Sequence, residues 1–284
     1  VMKLSYRVES AQLLREFLQA QRYSKKTLSA IKRNGALFVN NRFVTVRERL
    51  QPGDVVEVHL HEEQYSDYLQ PFQQDLKILY EDQFLLIVSK GAHQNCAPSR
   101  EHPHGSLIEQ VLGYLQATDG TVPHIVTRLD RNTLGIVIFA KHGFIHHLMS
   151  SCHLKKWYLA VCEGQTPSQE RIDAPIGRRK NSIIERQVCA EGKRALTQYE
   201  TLQKTENYSL CEAQLITGRT HQLRVHFAHI NHPIVGDSLY GEVHPKYSTQ
   251  LLRCVCVHFQ HPITTKKIEI KDNYHSIETI FNMV

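Results

Sequence analysis

The residues best placed to do chemistry lie in Val126-Thr127-Arg128-Leu129-Asp130-Arg131-Asn132-Thr133-Leu134-Gly135. Asp130 is the only carboxylate between Asp119 and Glu163, and an arginine stands on either side of it at Arg128 and Arg131. The run that follows, Ile136-Val137-Ile138-Phe139-Ala140, is short, continuous and β-branched, and it predicts a buried strand. A charged loop feeding a buried strand sits at the edge of a core, where side chains can be aimed. A lone carboxylate held there can act as a base or a nucleophile. Taken alone, these residues fit best an aspartate that caps a turn and pairs with a nearby arginine.

A second stretch changes that reading. Thr217-Gly218-Arg219-Thr220-His221-Gln222-Leu223-Arg224-Val225-His226 follows about ninety residues later. Arg-Leu-Asp-x-x-Thr-x-Gly before an apolar strand and Ala-Lys resembles one signature of the RluA-type pseudouridine synthases, and the second stretch resembles their other signature, in the family's order. Lys156-Trp157-Tyr158-Leu159-Ala160 is similar to their Lys-x-Tyr-x-Ala. Pro233-Ile234-Val235-Gly236-Asp237 to Tyr240-Gly241 is similar to Pro-Ile-x-Gly-Asp-x-x-Tyr-Gly. The resemblance runs from about residue 8 to 270. It departs at Thr127, usually histidine, at Leu134, usually serine, and at Lys90-Gly91-Ala92-His93, usually a Lys-Pro-x-Gly turn.

The resemblance implies an RNA uridine isomerase and assigns roles. Asp130 would act at the ribose, as a nucleophile or by removing a sugar proton. Arg219 would pair with Asp130; an arginine within about 4–6 Å favours a carboxylate's charged form. Tyr158 would stack on the uracil and take the final proton from the base carbon. Arg128 would fill the gap left by a flipped-out uridine, whose unstacking costs a few kcal/mol. The reaction requires no cofactor, redox step or metal. Ribosomal RNA is favoured over transfer RNA as partner. Two rival readings are a non-catalytic RNA-binding assembly factor on the same fold, and a base-excising glycosylase that would release free uracil.

The elements that must position these residues follow from patterning. The implied fold is α+β: a mixed, mainly antiparallel sheet flanked by helices over residues 75–284, a polar linker at 61–74 and a small α/β module at 1–60. In the module, Ser10 is expected to cap a helix carrying Leu13, Leu14, Phe17 and Leu18, and Ser24 a second one stopped by Asn34-Gly35. Short strands follow, with turns at Asn40-Asn41 and Pro52-Gly53-Asp54. The module resembles the alpha-L RNA-binding module of a ribosomal small-subunit protein. Lys25, Lys26, Lys32 and Arg33 crowd its second helix with no acid between residues 24 and 35, which suits phosphate tracking. Arg178 and Arg179 after Gly177, and Lys193 after Gly192, mark basic loops of the same kind.

In the larger part, Leu76–Tyr80 and Phe84–Val88 read as a hairpin across Glu81-Asp82, 106–115 as a helix with Leu107, Val111, Leu112 and Leu115 inward, and 155–161 as a strand with Lys156, Tyr158 and Ala160 on one face. A helix from Gly218 would carry Leu223, Phe227 and Ile230 inward. Leu252, Cys254, Cys256 and His258 alternate as one side of a strand, with the cysteines as small apolar residues. His142 and His146 have i, i+4 spacing, but no nearby carboxylate or cysteine completes a metal set.

The formal net charge is +6 and the pI about 8.9, which favours an anionic partner modestly. No apolar run approaches the roughly 20 residues that span a bilayer, and no signal peptide is visible. Seven cysteines without a secretory signal read as reduced thiols of a cytoplasmic protein.

Overall fold

The computed structural model describes residues 1–273 and Phe281. The N-terminal module comprises β1 (Lys3–Arg7), β2 (Gln12–Leu13), α1 (Leu14–Ala20), α2 (Lys25–Asn34), β3 (Ala36–Val39), β4 (Arg42–Phe43), β5 (Arg49–Leu50) and β6 (Val55–His59). Its sheet runs β1-β6-β3-β4, so the chain's first strand, which patterning did not reveal, pairs antiparallel with the last. Ser24 caps α2 as expected, its Oγ accepting from Thr27 N–H at 3.0 Å. Ser10 does not cap α1. Gln12–Leu13 instead pairs with β5, and Glu16 accepts the Leu13 N–H at 3.4 Å, so the helix starts at Leu14. Asn40 and Asn41 both adopt positive φ, which lets a two-residue turn follow the strand twist.

The larger part comprises β7 (Lys77–Glu81), β8 (Leu85–Lys90), α3 (Leu107–Thr118), β9 (His124–Ile125), β10 (Leu134–Ala140), α4 (Gly143–Met149), β11 (Lys155–Glu163), β12 (Gln169–Asp173), β13 (Ile176–Arg178), β14 (Arg186–Val188), β15 (Leu196–Lys204), β16 (Tyr208–Leu215), α5 (Gln222–His229), β17 (Leu252–Gln260) and β18 (Lys267–Lys271). One sheet runs β12-β15-β16-β11-β17-β10-β8-β7, with β9 on β10 and β18 on β17. Among the described residues, only the β10–β17 pair of this sheet is parallel; the other pairs are antiparallel.

The expected hairpin, helix and central strand all form. Asp82 closes the β7–β8 turn by accepting from Phe84 and Leu85 N–H, both at 2.7 Å. Leu107, Val111 and Leu115 of α3 pack with Val137 and Phe139 of β10, and Leu112 is buried as well. Phe144, Ile145, Leu148 and Met149 of α4 are buried in the principal core. One expectation fails on β17. Tyr158 pairs with Cys254 and Trp157 with Cys256, so Val255 is an extra residue. This β-bulge shifts the alternation: Cys254 is buried, whereas Cys256 and His258 are half-exposed and Val257 and Phe259 turn inward. All seven cysteines are free thiols.

Residues 61–74 form no helix or strand, but they do not hang free. Gln70 N–H donates to Glu109 Oε1 at 2.9 Å and Gln73 Nε2 to the Gly113 carbonyl at 2.8 Å. The module itself docks on α4: Tyr23 stacks on Phe144 with ring centroids 4.1 Å apart, and Arg22 reaches Ser151. Among the described residues, no helix is long and apolar enough to cross a membrane.

Candidate active site

The signature loop is stationed by three devices. Gly135, the second residue of β10, has φ +108°, and a Cβ there would lie 2.1 Å from the Cys254 carbonyl. Only glycine permits that fit beside β17. Thr127, the departure from histidine, is buried, and its Oγ1 accepts from Ile138 N–H at 3.0 Å. Lys90, 1 % exposed, donates from Nζ to the carbonyls of Gly91, Gln94 and Arg131 at 2.7, 3.0 and 2.8 Å. One buried ammonium thereby ties the end of β8 to the residue after Asp130. Burial lowers its pKa to about 8. Cys96 adds a contact from the other side, its Sγ within 3.3 Å of Leu129 N.

The Asp130 side chain does not cap its own turn; the turn closes by Thr133 N–H donating to the Asp130 carbonyl at 3.1 Å. The carboxylate instead crosses the cleft to Arg224, whose Nη1 donates to Oδ2 at 3.1 Å. The expected pairing with Arg219 is not what forms. The helix begins at Gln222 rather than Gly218, because His221 takes a left-handed conformation, φ 57°, and breaks the chain's path just before it. Arg219 is left in the preceding loop, its Nε donating to the Arg194 carbonyl at 2.8 Å. Arg224 lies in the first turns of α5 and is shared. It grips Asp237 through Nε–Oδ2 at 2.7 Å and Nη2–Oδ1 at 2.9 Å, and its remaining nitrogen faces Asp130. Asp237 is fully buried and also accepts from Leu239 and Tyr240 N–H.

His221 went unnoticed as a separate residue in the sequence. Its Nε2 lies 3.8 Å from Asp130 Oδ2, while Nδ1 meets the Tyr240 hydroxyl at 2.7 Å. Burial lowers its pKa, outweighing the charge of Asp130, so the ring is neutral at pH 7. Gln222 and His226 are buried. Gln222 Nε2 donates to the Leu196 carbonyl at 2.9 Å, and His226 bonds Thr197 Oγ1 and the Ala174 carbonyl, each at 2.9 Å. They fasten α5 to the start of β15.

Asp130, Arg128, Lys156, Tyr158, Arg219, His221 and Arg224 all line one cleft of about 450 Å³. Tyr158 is 4 % exposed, and burial holds its hydroxyl well above the ordinary phenol range. Arg128 is exposed at the rim. A second groove of about 410 Å³, lined by Arg178, Arg186, Lys193 and Arg219, shares Gly218, Arg219 and Thr220 with the first. Arg178 and Lys193 thus stand on a path leading into the cleft. Arg179 turns aside to pair with Glu185 at 2.8 Å. Lys25, Lys26, Lys32 and Arg33 are exposed on α2, in the module and not in the cleft lining.

Comparison with known proteins places the chain in a family. Residues 84–229 match the family model described as RNA pseudouridylate synthase. An uncharacterized RNA pseudouridine synthase of Bacillus subtilis (strain 168) is 40% identical over 253 residues, covering 86% of this chain and 89% of that one. A ribosomal large subunit pseudouridine synthase D of Xanthomonas campestris is 30% identical over 266 residues, covering 87% and 80%. In fold, the chain is similar to human RNA pseudouridylate synthase domain containing 1, with a TM-score of 0.59 over 74% of this chain and 86% of that one at 23% identity. The chain belongs to the RNA pseudouridylate synthase family, in its RluA-type branch, and is an isomerase of RNA uridines.

Proposed function

We propose that this enzyme converts specific uridines of ribosomal RNA to pseudouridine, with Asp130 as the group that acts on the ribose. The observation that carries this reading is the Asp130 carboxylate facing Arg224 in a cleft walled by Tyr158. In the isomerisation, the bond between ribose C1′ and uracil N1 breaks, the uracil turns, and C1′ bonds to C5. N1 gains a proton and C5 loses one.

Each residue has a part in that sequence. Arg128, at the rim, enters the helix as the uridine leaves it. Tyr158 stacks on the uracil and keeps the detached base from escaping to water. Its hydroxyl, which burial keeps protonated, relays the C5 proton, passing its own proton on as it accepts that one. Arg224 orients Asp130, and Arg219 holds substrate phosphate at the point where the cleft meets the basic groove. Arg178 and Lys193 continue that contact along the strand, and the cations of α2 meet RNA farther away. The preference for ribosomal RNA is supported by the similarity to the large-subunit enzyme.

The test is tritium release from RNA labelled at uracil C5, using RNA from cells that lack this protein. Wild type is expected to release tritium with no free uracil, whereas Asp130→Asn binds RNA and releases none. Free uracil would indicate a glycosylase; full activity of Asp130→Asn would remove the aspartate from the mechanism.

A further inference from the structure

The reaction uses no residue of the junction between the module and the catalytic domain, yet donors gather there. His61 and Glu63 are two residues apart on the extended segment that leaves β6, so they share a side of the chain. They face His142, the residue that caps α4. One ligand atom from each of the three lies within 4.8 Å of the others. His124 adjoins them, its Nε2 donating to Glu63 Oε2 at 2.8 Å.

Three independent features make this a prepared site. His61 Nδ1 is buried and has no hydrogen-bond partner among the described residues. Glu63 is held by Gly143 N–H, 3.2 and 3.1 Å from its two oxygens. A Cβ on Gly143 would lie 2.7 Å from Glu63 Oε1, so glycine leaves room for the carboxylate. His142 is oriented through its far nitrogen. Its Nδ1 accepts from Phe144 N–H at 3.0 Å, so Nε2 carries the proton and donates to the His61 carbonyl at 3.0 Å. A ring N–H on a backbone carbonyl is the outer contact that metal-ligating histidines use.

The surroundings favour a cation. A cavity of about 310 Å³ opens on the cluster and is lined also by Glu62 and Asp119. Lys141, on the same wall, is neutralised by Glu81 and Asp119 at 2.7 and 2.8 Å.

We propose that His61, Glu63 and His142 form a binding site for a divalent transition metal of the zinc class, which fastens the segment after the module to the catalytic domain. Two imidazoles and a carboxylate suit zinc, cobalt or nickel rather than magnesium or calcium. Donors on one tetrahedral ion at 2.0–2.1 Å stand roughly 3.4 Å apart, so donors within 4.8 Å of one another close up by no more than about 1.4 Å on binding. The ion takes the Nδ1 lone pair of His142 from the Phe144 amide, and the cavity supplies a water for the fourth position. Its role is structural, because this cavity is separate from the Asp130 cleft.

The experiment uses tag-free, full-length protein stripped with a chelator. Zn²⁺ is titrated by calorimetry and Co²⁺ by visible absorption, for wild type, His61→Ala, His61→Gln and Glu63→Gln. Wild type is expected to bind one equivalent. Its Co²⁺ spectrum should show d–d bands without thiolate charge transfer, and Zn²⁺ should raise its Tm. The variants, folded by circular dichroism, should bind at least tenfold more weakly and keep wild-type tritium release. Absence of saturable binding, or binding undiminished in the variants, overturns the proposal. So does a thiolate band that Cys256→Ser abolishes, since it would put the ion on Cys256, His258 and Glu269, the other such cluster among the described residues.

Discussion

Arg224 is the residue whose replacement most sharply separates the observed arrangement from the expected one. Arg224→Met removes both hydrogen bonds to Asp237 and the one to Asp130, while leaving comparable volume. Asp237 remains fully buried, with only the Leu239 and Tyr240 amides to meet its charge. Breaking a buried pair by removing one partner costs about 3–5 kcal/mol. At about 2–4 °C per kcal/mol for a chain of this size class, the Tm should fall by roughly 6–20 °C. Arg219→Ala, by contrast, removes an exposed side chain with a single carbonyl contact, and its stability should stay within about 0.5 kcal/mol of wild type. Activity should divide the same way. Arg224→Lys, which keeps the charge but loses the fork, should lower kcat with little change in KM, because Asp130 loses its orientation. Arg219→Ala should raise KM with little change in kcat. The assays are urea unfolding and tritium release at varied RNA concentration. A control sharpens the result: Arg224→Met with Asp237→Leu should be less destabilised than Arg224→Met alone, since no buried charge is then stranded. The reasoning is refuted if Arg219→Ala abolishes turnover while Arg224→Lys is neutral, or if the double variant is the less stable.

Other expectations follow from the loop and its supports. The ammonium of Lys90 satisfies three carbonyls with three protons, and the neutral amine has only two. Because its pKa is lowered to about 8, kcat should decline on an alkaline limb near that value. Its effect on stability has the opposite sign: the unfolded chain holds the extra proton, so stability rises between pH 8 and the ordinary lysine range and is lost on acidifying back through 8. A pH–rate profile and pH-dependent melting check both. Thr127→Val leaves the Ile138 amide buried without an acceptor and should cost about 1–3 kcal/mol, measured by urea unfolding. Gly135→Ala meets the Cys254 backbone at 2.1 Å and should yield insoluble or inactive protein. Tyr158→Phe keeps the ring but not the hydroxyl; glycosidic cleavage should persist and C5 tritium release should fall at least a hundredfold, readable by trapping the cleaved intermediate.

How much of this was legible in the sequence depended on whether the information was local. The strand at Ile136–Ala140, the hairpin at Asp82 and the inner face of α3 follow from periodicity and turn chemistry, and they form, the strand beginning two residues earlier at Leu134. So does the convergence of Asp130, Tyr158 and Arg128 on one cleft, which came from the resemblance. What did not follow was any feature set by two distant segments. The choice of Arg224 over Arg219 depends on His221 leaving the helical region, and on a buried aspartate at Asp237 that claims the fork. The bulge at Val255 belongs to the pairing of β17 with β11, which alternation along β17 alone does not carry. The segment 61–74 is polar and aperiodic because its partners are side chains and backbone groups of α3, β9 and α4, not a paired strand.

The position of β17 in the sheet has a consequence for synthesis. Strands β7, β8 and β10 form one half of the sheet, β11, β12, β15 and β16 the other, and β17 lies between them. The chain makes both halves first and the joining strand only at Leu252–Gln260. Until those residues leave the ribosome, the half bearing the Asp130 loop and the half bearing Tyr158 each expose an unpaired edge, one at β10 and one at β11. The catalytic cleft is therefore completed late, by a strand that contributes little of its lining. A nascent chain stopped before residue 252 would be two adhesive half-sheets, with its chemistry dispersed between them and a need for chaperone protection.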